Sequence, residues 1–133
     1  LRAGVKTLFG GQQNYTGLSN TVLNDARITP DSMRKIPYTV GDGTITNSFG
    51  GVVSATWTGL GGGSNNGFYI TYANVPGAVC AKLVTGAGSG WDQIIVGSST
   101  VKAFGTGNIN ISTLTTACAG DSGSGVSISF SSL

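Results

Sequence analysis

Residues 75–88 read VPGAVCAKLVTGAG, and how they are read decides the fold. Val79, Cys80, Leu83 and Val84 fall on one face at helical spacing. Pro76 suits the first helical position and Gly86 can end the element. The stretch therefore predicts a helix, and it is set inside sequence that reads as strand. Just before it, FYITYANV (68–75) is β-branched and aromatic throughout, the strongest strand pattern in the chain. After it, DQIIVG (92–97) and TVKAF (100–104) read as short strands. Near the end, Val126, Ile128 and Phe130 alternate with Ser127, Ser129 and Ser131, a half-buried strand of period two.

Working back from residue 75, IPYTV (36–40), TITNSF (44–49) and VVSATWT (52–58) also read as strands. Gly41, Gly43, Gly50 and Gly51 punctuate them, and GLGGGSNNG (59–67) reads as an exposed loop. The first 35 residues differ. LRAGVKTLF (1–9) sets Leu1, Val5 and Leu8 at helical spacing, without a cap before Leu1. After the break GGQQN (10–14), LSNTVLNDA (18–26) places Leu18, Val22, Leu23 and Ala26 on one helical face. Thr29-Pro30 can open a short third turn. Helices first and strands after, with 75–88 as the one helical interruption, predict an α+β domain. A length of 133 residues fits one domain, with 1–35 helical and 36–133 forming the sheet.

Hydrophobic residues make up 39% of the chain, enough for a core, whereas charged residues make up only 9%. Soluble domains carry about 25%. The surface is therefore mostly Ser, Thr, Asn and Gly, as in many extracellular and assembled proteins. Net charge is +2, from seven Lys/Arg and five Asp. Arg2, Lys6, Arg27, Arg34 and Lys35 lie in the first 35 residues and read as solvated helix faces. No basic run interleaves with aromatics, which argues against a nucleic-acid interface. The two cysteines, Cys80 and Cys118, suit a disulfide in an oxidising compartment, with two buried thiols as the alternative.

The stretch CAGDSGSGV (118–126) is spelled like the nucleophile segment of trypsin-like proteases. Ser122 would need a base held by an acid, and the chain has no histidine. A lysine base (Lys6, Lys35, Lys82 or Lys102) has no supporting spacing. The glycines and Asp121 account for the same letters as a turn leading into the last strand. The reading is therefore not an enzyme. One cysteine pair without histidine excludes ordinary zinc sites. DGTITN (42–47) lacks the terminal Glu and the middle carboxylates of a calcium loop. No metal and no cofactor are expected. NYT (14–16) and NIS (110–112) are glycosylation sequons that matter only in a eukaryotic source. Trp57, Trp91, Tyr69 and Tyr72 can line a sugar-binding face or take core or half-buried strand positions, and the second reading is favoured.

The order of parts resembles a known family. The truncated amphipathic start, the segment LFGGQQNYTGLSNTVLNDARITPDSM and the helix VPGAVCAKLV are similar to type IVb pilins, in particular PilS-like pilins of enteric bacteria and conjugative plasmids. The resemblance runs over nearly the whole chain. It implies that Leu1 to Phe9 end a long N-terminal helix packed on an antiparallel sheet, and that Gly17 to Met33 form the loop between helix and sheet. It implies that Cys80 pairs with Cys118 to bound an exposed, variable D-region. The family's apolar N-terminal segment is absent, and the uncapped start is what a soluble, truncated form would show. Any membrane anchoring would reside in that segment. The implied function is structural: subunits polymerise with one another into an extracellular pilus fibre that serves host-cell adhesion through a surface receptor, bacterial aggregation or mating contact. A free-standing extracellular carbohydrate- or protein-binding module is the other reading that these residues support.

Overall fold

The computed structural model describes residues 2–10, 14–29, 31–34, 39–47, 49–60, 66–105, 107–120 and 125–133. Its centre is a five-stranded antiparallel sheet in the order β1-β2-β5-β3-β4. The strands are β1 (Val53–Thr58), β2 (Gly67–Val75), β3 (Gln93–Val96), β4 (Ser99–Lys102) and β5 (Val126–Ser132). The helices are α1 (Arg2–Leu8), α2 (Asn20–Asp25), α3 (Gly77–Ala87) and α4 (Ile111–Cys118).

The register lines apolar side chains into two rows across one face. Ala55, Ile70, Phe130 and Ile94 form one row, and Val53, Tyr72, Ile128 and Val96 the next. Residues directly opposite on paired strands share a face, so the alternation in each strand becomes a continuous apolar surface. Helices cover that surface from two sides. Val5 of α1 and Leu23 of α2 join Leu18, Ile45, Val53, Ala55, Phe68 and Ile70 in one buried cluster. Cys80 and Val84 of α3 and Leu114 and Cys118 of α4 join Ile94, Val96, Val101, Ile128 and Phe130 in the other. Gly4 lets α1 approach: a Cβ there would run into the side chain of Ile28.

The opposite face carries rows of uncharged residues, Thr56–Tyr69–Ser131–Gln93 and Ser54–Thr71–Ser129–Ile95. The hydroxyls of Thr71 and Ser129 lie 2.9 Å apart in a cross-strand hydrogen bond. The alternation expected of the last strand holds through Phe130. It ends at Ser131 and Ser132, which are both buried.

Several expectations are corrected. Residues 75–88 are not the one helical interruption, because α4 is a second. Asn110 caps α4 by accepting from the Thr113 N–H at 3.1 Å. Its threonines turn their hydroxyls onto the preceding turn: Thr115 donates to Ile111 O at 2.8 Å and Thr116 to Ser112 O at 3.1 Å. The described residues of TITNSF, all but Ser48, make no strand, only single bridges from Ile45 to Arg34 and from Thr46 to Val52. Asparagine side chains take the backbone groups that a ladder would use. Asn24 donates to Asp42 O and Thr44 O at 2.8 and 3.2 Å, and Asn47 accepts from Phe49 and Gly51, both at 2.9 Å. In IPYTV, Thr39 and Val40 are outside any strand, and 36–38 lie outside the described residues. The helical face of α2 buries Asn24 rather than Ala26, which is exposed. Pro76 caps α3 rather than opening it, and the helix runs past Gly86 to Ala87. The turn after Thr29 is a short 3-10 segment, Asp31–Met33, with Pro30 outside the described residues. At the start of the supposed loop 59–67, Leu60 is buried, and Asn66 brackets its backbone with bonds of 2.8 and 3.0 Å. Residues 61–65 lie outside the described set. Arg27 is exposed, as a solvated face requires, but Arg34 is half-buried beside its bridge to Ile45.

Candidate functional site

The half of the molecule bounded by Cys80 and Cys118 is built from the sequence upward. FYITYANV forms the long strand β2, and α3 follows at once after Pro76. The helix lays Cys80 and Val84 onto the sheet. On α4, Leu114 and Cys118 stand four residues apart and face the same cluster. The two helices meet, and Cys80 and Cys118 form a disulfide with Cα atoms 5.6 Å apart. Gly125 then turns the chain into β5 with a φ of 83°. Its missing Cβ leaves room for the backbone of Asn74, at the register shift in β2.

Lys102 completes this half. It ends β4, is 6% exposed, and donates from its ammonium group to Gly88 O at 2.8 Å and Trp91 O at 2.7 Å. Gly88 is the C-cap of α3, so a positive charge sits at the negative end of the helix, on a carbonyl that also accepts the Trp91 N–H at 3.3 Å. Nothing in the local sequence marks this role. A lysine in a short strand reads as solvated, and only the fold brings it to the helix end.

Between α3 and the turn after α2 lies an apolar groove of about 470 Å³. Its floor is Tyr72, Trp91 and Phe130, and Met33, Phe49 and Leu83 form its walls. The Trp91 and Phe130 rings are 5.4 Å apart, and Tyr72 meets Phe130 edge-on at 5.9 Å. Burial raises the pKa of the Tyr72 phenol above its ordinary 10.0. The sign follows: the folded state holds the neutral phenol longer than the unfolded one. Its contribution is full below about pH 10 and is lost as pH rises through the raised value. Tyr72→Phe is therefore expected to flatten the alkaline fall in stability. Urea unfolding between neutral pH and about pH 11 checks this. An unchanged alkaline slope would refute it.

The four aromatic residues considered for a sugar face do not share a surface. Tyr72 and Trp57 are on the apolar side of the sheet and Tyr69 is on the other. Trp91 packs between Phe68 and Phe130. Trp57 is 38% exposed at the edge strand. Ser122, with 121–124, lies outside the described residues. Among the sequons, Asn110 is committed to capping α4, and Asn14 accepts from the Thr16 N–H at 3.1 Å. No group of three metal-ligating side chains occurs among the described residues. What the geometry offers is surface: an uncharged polar sheet face, an apolar groove and a cross-linked pair of helices. Such surfaces recognise partners by shape and hydrogen bonding.

Residues 1–132 match the family model described as PilS N terminal. Among curated proteins, the major structural subunit of bundle-forming pilus from Escherichia coli O127:H6 is 28% identical over 110 residues, covering 77% of this chain and 52% of that protein. Its counterpart from Escherichia coli O111:H- is 30% identical over 86 residues, covering 62% of this chain and 40% of that protein. The chain thus spans about half the length of these relatives or less. Among solved structures, a type IV b pilin from Salmonella typhi superposes with a TM-score of 0.72 at 22% identity, covering 97% of this chain and 90% of that one. A type IV pilin from Vibrio cholerae El Tor biotype gives 0.68 at 18%, covering 99% and 92%.

Proposed function

Because this chain belongs to the PilS N-terminal family and has the type IVb pilin fold, we propose that it is a structural subunit of a surface pilus. The observation that carries this reading is the family match along residues 1–132. Copies of the chain polymerise by heterologous contacts, in which different patches meet and the contact repeats without closing. The fibre stands outside the cell, where the Cys80–Cys118 bridge is stable. Its low charge and Ser/Thr-rich sheet face suit a surface that meets host cells, sister cells or mating partners. Among the described residues no helix is long and apolar enough to cross a membrane.

The test is genetic. Cells lacking the gene are expected to lose the fibre in negative-stain electron microscopy and to lose adhesion, aggregation or mating contact with it. The intact gene supplied in trans is expected to restore both. Fibres that persist unchanged in the deletion strain would overturn the assignment.

A further inference from the structure

The side chain of Asn20 sits where another strand would lie. Along β1, the N–H and C=O groups of Val53, Ala55 and Trp57 turn away from β2 toward the free edge. Val53 N donates to Ile45 O at 2.8 Å. The next two groups go to Asn20: its amide donates to Val53 O at 2.8 Å and accepts from Ala55 N at 2.8 Å. One amide thereby bonds the C=O of one residue and the N–H of the residue two further on, the two-bond pattern that a residue of a neighbouring strand makes in a parallel ladder. A third bond, Asn20 Nδ2 to Gly43 O at 3.0 Å, ties the group to the loop outside the edge. The far edge of the sheet is also occupied. Asn110, which caps α4, donates its backbone N–H to Val101 O of β4 at 2.7 Å.

We propose that Asn20 is an edge guard, closing β1 so that copies of this chain do not join by strand addition. An unguarded edge strand is a template for pairing with another chain. The danger is acute for a chain held at high local concentration with few charges to repel a copy. Charged residues are 9% of this sequence, and none lies in β1. The inference goes beyond the pilus reading, because it states which contact the copies do not use. Copies then meet through sheet faces and helices, and any fibre built by pairing β1 edges is a misassembly.

The experiment compares the parent chain with Asn20→Ala, Asn20→Asp and Asn20→Ala combined with Trp57→Pro. Asn20→Asp keeps the acceptor for Ala55 N and loses both donated bonds. Trp57→Pro removes an edge N–H and leaves the β2 ladder intact, since that N–H points away from β2. Circular dichroism of fresh protein confirms folding. In the folded Asn20→Ala variant, the Ala55 amide is expected to exchange on the order of tenfold faster, the effect of one lost hydrogen bond. That variant is expected to form thioflavin-positive aggregates under conditions where the parent forms none, with Asn20→Asp intermediate. The added Trp57→Pro is expected to suppress them. Folded Asn20→Ala that stays free of such aggregates would overturn the proposal, as would aggregates that Trp57→Pro does not suppress. If Asn20→Ala does not fold, Asn20→Asp is read in its place, with and without Trp57→Pro. If neither folds, Asn20 is a folding residue and the guard role is refuted.

Discussion

Replacing both Cys80 and Cys118 with alanine is expected to cost about 4 kcal/mol of stability, by the loop-closure entropy of a cross-link spanning 38 residues. The bridge joins two helices already in contact, so its work is done on the unfolded chain, which it forbids from opening that loop. Most of the loss should therefore appear in the equilibrium and little in the native spectrum. Urea unfolding of the oxidised parent and of the double variant measures it. A difference below about 1 kcal/mol would mean that the reduced chain retains the helix pair when unfolded and would refute the entropic account. Since α3 and α4 also bury Val84 and Leu114, the double variant should still fold.

Phe130→Ala is expected to cost about 3–5 kcal/mol, the range for truncating a buried phenylalanine. Phe130 is 2% exposed and lies on β5, the central strand, opposite Ile70 on one side and Ile94 on the other. Its ring also touches Tyr72 and Trp91, so the cavity left behind opens onto rings held by their own strands. Collapse is restricted, which places the effect at the upper end. Phe49→Ala, at the mouth of the same groove and 41% exposed, removes a ring already partly in water. Its cost should fall well below that of Phe130→Ala. Thermal unfolding of the two variants side by side decides the point, and equal losses would refute this description of the core.

Much of this was legible in the sequence because period and punctuation agree there. FYITYANV and the alternating end of the chain are strands whose apolar positions become the inner face, and 77–87 is a helix because four apolar residues recur at its period. The resemblance to type IVb pilins rests on the same segments. What was hidden had tertiary causes. ISTLTTAC is rich in residues with weak helix propensity, and its helix depends on the Asn110 cap and on packing of Leu114 and Cys118. The segment 39–51 has strand-like composition, yet Asn24 reaches it from α2, and its own Asn47 takes the Phe49 and Gly51 N–H groups and reaches out to Ala73 O. Lys102 and Asn20 belong to the same class. A single polar residue gives no periodic signal, and its partners lie 11 to 35 positions away.

The inner face of the sheet carries two buried clusters that have no buried residue in common, and both pack against the half-buried rings of Tyr72 and Trp91. The disulfide lies wholly on one side of that seam, and Lys102 reaches the seam only through the Trp91 carbonyl. The outward faces of α3 and α4 in the cross-linked half are therefore expected to tolerate substitution on their own. Substitutions on the outside of α3 and α4 need not be answered by changes around α1 and α2. A lineage under pressure to vary what it shows to its surroundings can do so in one half while the other stays as it is.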